Sequence, residues 1–572
     1  MEYSAIFHDM DKRFSYAVDK DLFVIRVQVK KDDMKEVILH YEDKYIPMER
    51  KDTRKTVSMK KVAVSQFHDY YEAQIKMHLI CLRYLFEFTD TQGEKVYYGN
   101  YEFDKECITN RDRMFDCPQN LREEEMFEVP EWAANKVVYQ IFPSRFAATE
   151  PVDKELWYKA PITPMDDLHG NLRGIIEHMD DIQDLGIDVL YMTPIFQSNS
   201  CHKYDTTDYY KIDPSFGTTE DLKELVQKAH ERGMKVVLDA VYNHTGREFF
   251  AFADILENGE KSKYRDWYFI DGFPLKSEWG EIPNFKCFGY YGGMPKLNLK
   301  NPEVEKYITD VACYWIKECD IDGWRLDVGD EISHFFWKNF RKAVKAVKKD
   351  LLIIGEIWHY AGDFLEGDEW DTVMNYPFYL NLIDLLADEK ITVSQFVQNL
   401  GYLKGRLNKN CYPLMWNLID SHDTARFLHL CNDNKKKQHL AAAFQLLLPG
   451  MPMIYYGDEY AMPGANDPDC RRGMYWDEEY QDKEMYEWYK QLIRVRKSHA
   501  CIVEGELAGI VTEDEEGTVV LIRKNGEETI AMIFNCSSSA KKFNEYTEKY
   551  NLLTENTFDG NVEGFDAAVI VL

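Results

Sequence analysis

Ile308-Thr-Asp-Val-Ala-Cys-Tyr-Trp-Ile316, followed closely by Gly323-Trp-Arg-Leu-Asp-Val328, is a helix-then-strand unit, and its recurrence along the chain decides the fold. Ile308, Val311, Ala312, Trp315 and Ile316 fall at i, i+3, i+4, i+7 and i+8, the stripe of a helix buried along one face. The strand run after it is apolar except at Arg325 and Asp327, which are two positions apart and share a strand face. A buried acid is costly without a partner. Arg325 and Asp327 therefore read either as a structural ion pair or as part of a site.

Outward from that unit, short apolar runs with strand character recur at Val137–Phe142, Val189–Ile195, Val236–Val241, Gly323–Val328, Leu351–Ile357, Thr372–Tyr376, Leu414–Ile419 and Met453–Tyr456. Amphipathic stretches separate several of them. Thr218 is placed to cap one helix, with Glu220 and Asp221 in its first turn favouring the dipole. Alternating strands and helices on this scale predict an α/β fold, a (β/α)8 TIM barrel, over residues 126–504. Residues from about 245 to 300 are aromatic and Gly-rich and interrupt the alternation, as an inserted small domain would.

The flanks differ. Residues 1–125 carry period-2 runs, Phe23, Ile25, Val27 and Val29 on one face and Leu82, Tyr84, Phe86 and Phe88 on another, which predicts an N-terminal β-sandwich. Residues 505–572 predict a C-terminal β-domain. There Val519–Ile522 and Thr529–Phe534 flank Asn525-Gly526, the signature of a type I′ hairpin.

With 572 residues the chain has length for about four units of ~150 residues, or fewer with one large barrel. Its 69 basic and 99 acidic residues leave a net charge of −30, which repels phosphate backbones and anionic lipid. Lys435-Lys436-Lys437 is too short to reverse that and reads as a solvated cluster, so neither nucleic acid nor membrane is expected as a partner. The N-terminus shows no basic-then-apolar leader pattern, and no run reaches the ~20 apolar residues of a bilayer span. The most apolar run, Ala441–Tyr456, is broken by Pro449, Gly450 and Pro452. Twelve cysteines without a C-x-x-C pair suggest reduced core thiols and a cytoplasmic location.

In a barrel the strand C-termini carry the chemistry. Those ends bring Asp239, Asn243 and His244, Arg325 and Asp327, Glu356, and His422 with Asp423 onto one rim. Two carboxylates facing one cleft suit glycoside hydrolysis, one ionised to attack the anomeric carbon and one protonated to assist the leaving oxygen. Arg325 is expected to depress the pKa of Asp327, and the apolar surroundings of Glu356 to raise its own.

Asp239-Ala-Val-Tyr-Asn-His244, Gly323-Trp-Arg-Leu-Asp327, Gly355-Glu-Ile-Trp358 and Asn417-Leu-Ile-Asp-Ser-His-Asp423 resemble, in order, the four signature regions of the α-amylase superfamily. Gly186-Ile-Asp-Val-Leu-Tyr-Met-Thr-Pro194 resembles its second-strand region. Met294-Pro-Lys-Leu-Asn298 resembles the marker of the neopullulanase, cyclomaltodextrinase and maltogenic amylase subgroup, and Val373–Phe378, Tyr455–Glu459 and Gly464–Arg471 fit it as well. The resemblance covers essentially the whole chain and makes the N-terminal sandwich starch-binding-like.

The resemblance implies roles. Asp327 is the nucleophile that forms a β-glycosyl-enzyme, Glu356 the general acid/base, and Asp423 the third acid, bonding sugar hydroxyls. Arg325 orients the nucleophile, His244 and His422 contact the sugar at the cleavage subsite, Tyr204 stacks on it, and Asp467 and Arg471 hold the next sugars. Trp358 and Phe288 are aromatic platforms or core residues. His202, Asp239, Asn243 and Glu331 support the site. The implied reaction is retaining hydrolysis of α-1,4 bonds in cyclodextrins, pullulan or maltooligosaccharides, with some transglycosylation. A sister α-amylase or oligo-1,6-glucosidase is the near alternative, and a non-catalytic carbohydrate-binding homologue the distant one. The implied assembly is a homodimer through the N-terminal domain.

Departures matter too. Val328-Gly-Asp-Glu331 stands where the subgroup usually has Val-Ala-Asn-Glu, so Asp330 adds charge on the acceptor side, and Tyr360 replaces a more usual acid. The Arg145–Pro151 stretch has few of the oxygen ligands calcium needs. No cofactor is expected to be required, and the usual first-strand calcium site is expected to be missing or weak.

Overall fold

The computed structural model describes residues 1–19, 21–47, 54–76, 81–118, 126–150, 152–276 and 282–572. The N-terminal side of the expected boundary at 125/126, and Pro151 of the first-strand stretch, lie outside the described residues.

The N-terminal region is a pair of antiparallel sheets. We label its main strands β1 (Leu22–Lys30), β2 (Met34–Asp43), β3 (Lys60–Val64), β4 (His68–Lys76) and β5 (Cys81–Asp90). β1, β4 and β3 lie side by side in one sheet, and β2 pairs with β5 in the other. The period-2 runs do what their alternation requires. Phe23, Ile25, Val27 and Val29 of β1 pack against Val37, Leu39, Tyr84, Phe86 and Phe88 across the sandwich.

Eight parallel strands follow: β6 (Val138–Ile141), β7 (Val189–Met192), β8 (Lys235–Ala240), β9 (Gly323–Leu326), β10 (Leu352–Gly355), β11 (Thr372–Val373), β12 (Trp416–Leu418) and β13 (Met451–Tyr455). They run β11-β10-β9-β8-β7-β6-β13-β12, and a parallel bridge between Met374 and Trp416 closes the ring. Closure is reinforced by Asn375 N–H donating to Trp416 O at 2.8 Å and Asn375 Nδ2 to Asn417 Oδ1 at 2.8 Å. All eight expected runs are present, but several stop short of the expected C-terminal end. Leu351–Ile357 shrinks to β10, and Thr372–Tyr376 shrinks to β11 because Tyr376 already begins a helix. Residues such as Val241 and Ile357 are buried beyond the last ladder bond, and burial alone looks the same as a strand in the sequence.

Strand alternation sorts the side chains. Leu190, Met192, Val236, Leu238, Trp324 and Leu326 pack outward in the large core that also holds the helices, whereas Val189, Tyr191, Val237 and Ile354 belong to a separate inner cluster. Asp239 and Arg325 have the inner parity. Helix α1 (Thr219–Glu231) starts at Thr218 with a complete capping box to Asp221, and α2 (Pro302–Cys319) buries the whole Ile308–Ile316 stripe. Between β8 and α2, the described residues of the 245–300 stretch contribute a helix at Phe250–Asn258 and irregular backbone tied back by bridges His244–Lys296 and Tyr268–Leu297. Its Phe252, Tyr268 and Phe285 join the barrel's core.

The C-terminal region builds a six-stranded sheet around β14 (Glu506–Glu513), β15 (Thr518–Asn525), β16 (Glu528–Asn535) and β17 (Asp566–Val571). The hairpin is where the sequence placed it, but the turn differs. Asn525 pairs with Glu528, so Gly526 and Glu527 form the loop, with Gly526 at φ 60°. Glycine at the first loop position is the type II′ arrangement rather than I′. The extra β-pair at Asn525 moved the register by one.

The sandwich sits on barrel helix α3 (Val393–Arg406) through a close backbone approach. A Cβ at Gly401 would lie 1.9 Å from Val64 O. Gly401→Ala should therefore loosen this docking, lowering the first thermal unfolding midpoint and exposing the junction to protease. Calorimetry with limited proteolysis checks it, and an unchanged midpoint would count against the contact.

Candidate active site

The register of neighbouring strands fixes the centre. Asp239 of β8 and Arg325 of β9 are cross-strand partners. Both point into the barrel, where the Arg325 guanidinium becomes a hub. Its Nη1 donates to Asp239 at 3.1 Å and to Asp327 Oδ1 at 3.0 Å. Its Nη2 lies 2.9 Å from Glu356 Oε2 and 3.8 Å from Asp423 Oδ2. One cation at the end of β9 thus gathers acids from β8, β10 and the loop after β12.

Glu356 is held further. Val328 N–H donates to its Oε2 at 2.9 Å, and Trp358 Nε1 to its Oε1 at 3.3 Å. Val328 has φ 48° and ψ 42°, left-handed backbone that a β-branched residue adopts at a cost of about 1–2 kcal/mol. Strain of this kind gathers at sites where position matters more than stability. Asp327 Oδ2, by contrast, has no hydrogen-bond partner among the described residues.

Burial governs the charges. It pushes Asp327 well above the ordinary carboxylate range, with Glu356 adding to the rise and Arg325 opposing it. The expectation that Arg325 keeps Asp327 low is thus overturned. Its influence has the expected sign but loses to desolvation and to the neighbouring acid. Glu356 is raised as expected, by burial first and against Arg325. Asp423 is raised by burial, and Asp239 is pushed up to about 6 by burial despite Arg325. The opposite end of the barrel treats buried acids differently. Asp322, just before β9, is held down to about 2 by His230, Lys348 and the Val236 N–H against burial, and Asp371, just before β11, is lowered by Arg341 and Lys345. Asp322 and Asp371 at strand N-termini thus each meet more than one cation, while Asp239, Asp327 and Glu356 at the C-termini share one arginine. The raised set marks the functional end.

These acids open into a pocket of about 410 Å³. Asp327, Glu356 and Asp423 line it, as do His202, Tyr204, His244, Asp467 and Arg471. Trp358 and Phe288 also line it and are 42% and 38% exposed, which favours platforms over core packing. Trp358 is backed by Tyr376 at 3.9 Å and nearly parallel, and Phe288 by His244 at 5.0 Å. Arg471 Nη1 pairs with Asp467 at 2.9 Å, and its Nε donates to His422 O at 2.7 Å.

Five of the expected residues lie outside this lining, four of them buried behind it and Glu331 exposed beside it. Arg325 and Asp239 are the hub just described. His422 is fully buried, with Nδ1 accepting from Gln140 Nε2 at 2.7 Å and Nε2 directed at the Tyr204 hydroxyl and, at 3.2 Å, at Asp423 Oδ1. Burial and the Arg471 charge hold it neutral, well below the usual histidine range. It orients Tyr204 and Asp423 rather than lining the pocket. Asn243 and Glu331 both bind Lys296, and Asn243 Nδ2 donates to Glu331 at 3.3 Å, so the Met294–Asn298 marker is latched to the end of β8. His244 is buried and held down to about 3, first by desolvation and then by Lys296, with Nε2 unpartnered among the described residues. It is a neutral group free to bond a ligand hydroxyl. Tyr204 is pinned by Asp239 Oδ2 at 3.0 Å.

Sequence reasoning gave Gln140 and Tyr191 no role, although Tyr191 donates to Asp239 at 2.7 Å. The inner parity of Tyr191 and Gln140 on their strands was the available signal. Met294, Val328 and Asp330 also line the pocket.

Known proteins resemble this chain over most of its length. The α-amylase catalytic domain profile matches residues 140–480, and that of the α-amylase N-terminal ig-like domain matches residues 1–119. A cyclomaltodextrinase of Geobacillus thermopakistaniensis (strain MAS1) is 43% identical over 544 residues, 94% of this chain and 92% of that protein. Neopullulanase 2 of Thermoactinomyces vulgaris is 39% identical over 537 residues, 93% of this chain and 90% of that protein. A solved cyclomaltodextrinase structure superposes with a TM-score of 0.94 at 37% identity, covering 100% of both chains.

Asp239 raises the Asp327 pKa through its charge while holding Arg325 and Tyr204. Asp239→Asn should therefore shift the acid limb of the kcat/KM profile to lower pH, because Asp327 then ionises more easily, while lowering kcat through lost positioning. A limb that moves to higher pH would contradict this electrostatic order.

Proposed function

The chain belongs to the α-amylase family and is an α-glucan hydrolase, and from that premise we propose that it cleaves α-1,4 bonds of cyclodextrins, pullulan and maltooligosaccharides with retention of configuration. The observation that carries the reading is the single guanidinium of Arg325 joined to both Asp327 and Glu356 at the floor of an aromatic-walled pocket. A fork of that size keeps the two carboxyls close, as direct attack on the anomeric carbon requires.

The chemistry follows from the raised pair. Two buried acids that resist simultaneous ionisation favour a state with one proton between them. With that proton on Glu356, Asp327 attacks the anomeric carbon through an oxygen as the glycosidic C–O bond breaks, and the leaving oxygen takes the Glu356 proton. Glu356 then removes a proton from water, whose oxygen displaces Asp327 and restores both groups. Asp423 then bonds sugar hydroxyls, as does the neutral His244, a reading supported by the His422 and Arg471 contacts of Asp423 and by the unpartnered His244 Nε2. Trp358 and Phe288 offer ring faces to sugars on either side. Asp330, in the same pocket and 3.9 Å from His359, adds an acid near the acceptor side that bears on the balance of hydrolysis and transglycosylation.

Three further readings belong to this proposal. A cytoplasmic location is supported by twelve cysteines that form no disulfide, and no helix among the described residues is long and apolar enough to cross a membrane. Independence from calcium is supported by Arg145, whose buried guanidinium puts a fixed positive charge in the first-strand stretch. A homodimer through the N-terminal domain is supported by exposed aromatics there, Phe7, Tyr101 and the edge-packed pair Tyr3 and Phe103.

Reducing-sugar release from β-cyclodextrin, pullulan and starch tests the activity, with the wild type most active on the cyclodextrin. Asp327→Asn and Glu356→Gln should each lower kcat by about 10³-fold or more. Activity that survives Asp327→Asn would overturn the mechanism, and an inert wild type would favour a carbohydrate-binding role. Sedimentation equilibrium in excess EDTA checks the other two readings. The expected particle is twice the 67.5 kDa chain with activity intact.

A further inference from the structure

On the side of the strand N-termini, away from the catalytic rim, the N-terminal sandwich, the barrel and the C-terminal sheet meet at a second cleft of about 70 Å³. Val64 of β3, Leu400 of α3, Pro449 just before β13, and Ile510 and Leu521 of β14 and β15 give it apolar walls from all three parts.

Two cations interrupt that lining, Lys404 and Arg523. Arg523 is 7% exposed, and its Nη2 donates to Val503 O at 2.9 Å and to Gly505 O. Its buried Nε has no partner among the described residues. Lys404 is half-buried, and its side chain makes no hydrogen bond or ion pair among the described residues. The carboxylates at this junction are engaged elsewhere. Glu72 is bound by Arg26 at 2.7 Å and Glu506 by Lys60 at 2.7 Å. Arg26 also takes the carbonyls at the end of α3, Gly405 O at 3.0 Å and Leu407 O at 2.6 Å. Burial, then Arg523 and Arg26, drive Lys404 down to about 8 against the single opposing charge of Glu72. Burial takes Arg523 down to about 10. A buried and a half-buried cation lining one cleft without a counter-charge are costly, and an anion beside them lowers that cost.

We propose that this cleft binds a small organic carboxylate, its charge met by the Lys404 ammonium and the Arg523 guanidinium that line the cleft and its carbon chain on the apolar walls. A water needs about 10–15 Å³ of such space, so the cleft has room for a chain of a few carbons. That excludes a sugar. An inorganic anion would leave the walls uncovered, and a neutral analogue would leave the charges unmet. A ligand touching all three parts of the molecule strengthens their docking by mass action.

The test is the thermal unfolding midpoint of the full chain at constant ionic strength, in sodium butyrate, sodium chloride or butyramide. Butyrate should raise the midpoint saturably, by about 1–2 °C at ten times its dissociation constant, and the other two should not. Lys404→Met keeps the side-chain stem and should abolish the rise. An equal effect of chloride or butyramide, or a butyrate effect that survives Lys404→Met, overturns the proposal. Saturation-transfer NMR on the wild type gives a reading that needs no variant. Signal on butyrate but not on butyramide supports the site, and its absence for butyrate refutes it.

Discussion

The guanidinium of Arg325 is the interaction on which the catalytic centre depends. It is a permanent cation, fully buried at the end of a barrel strand, with acids arriving from three neighbouring elements. No single one of these acids would be tolerated there alone, and together they exceed the charge available to neutralise them. That imbalance is the useful property. It leaves carboxyls poised to exchange a proton, whereas a balanced cluster would lock every one of them as an anion.

The two ends of the barrel show the same residue types under opposite rules. Asp322 and Asp371 meet lysines, an arginine or a histidine and strand N–H groups, and serve only to hold strands and helices together. Asp239, Asp327 and Glu356 share their cation and sit around a pocket. The layers behind the pocket then act by orientation. Gln140 sets the His422 ring, His422 and Asp239 set Tyr204, and Lys296 fastens the Met294–Asn298 segment to Asn243.

Much of this was legible in the sequence because it rests on local rules. The Ile308–Ile316 stripe, the Thr218 cap and the alternation of Phe23 to Val29 each report a period and a burial that the structure realises. The acids were legible because an acid inside an apolar strand needs a reason. What was not legible was local as well. Thr372–Tyr376 reads as a strand by composition, yet Asn375 caps a helix that Tyr376 already begins. Asn525 reads as a turn residue, yet it pairs with Glu528. In both cases apolar burial or turn preference was satisfied by more than one backbone path.

By itself the sequence determined the barrel, the two flanking β regions and the list of groups able to do the chemistry, since periodicity and residue type are properties of the chain. Only the tertiary structure decided how those groups are charged and which of them face the pocket. Asp327 is drawn upward despite Arg325, and His422 stands behind Tyr204 rather than beside the pocket. The reason is that desolvation and charge coupling depend on what packs around a side chain from distant parts of the chain. Cross-strand register, as between Asp239 and Arg325, brings those parts together only when the ring of strands closes.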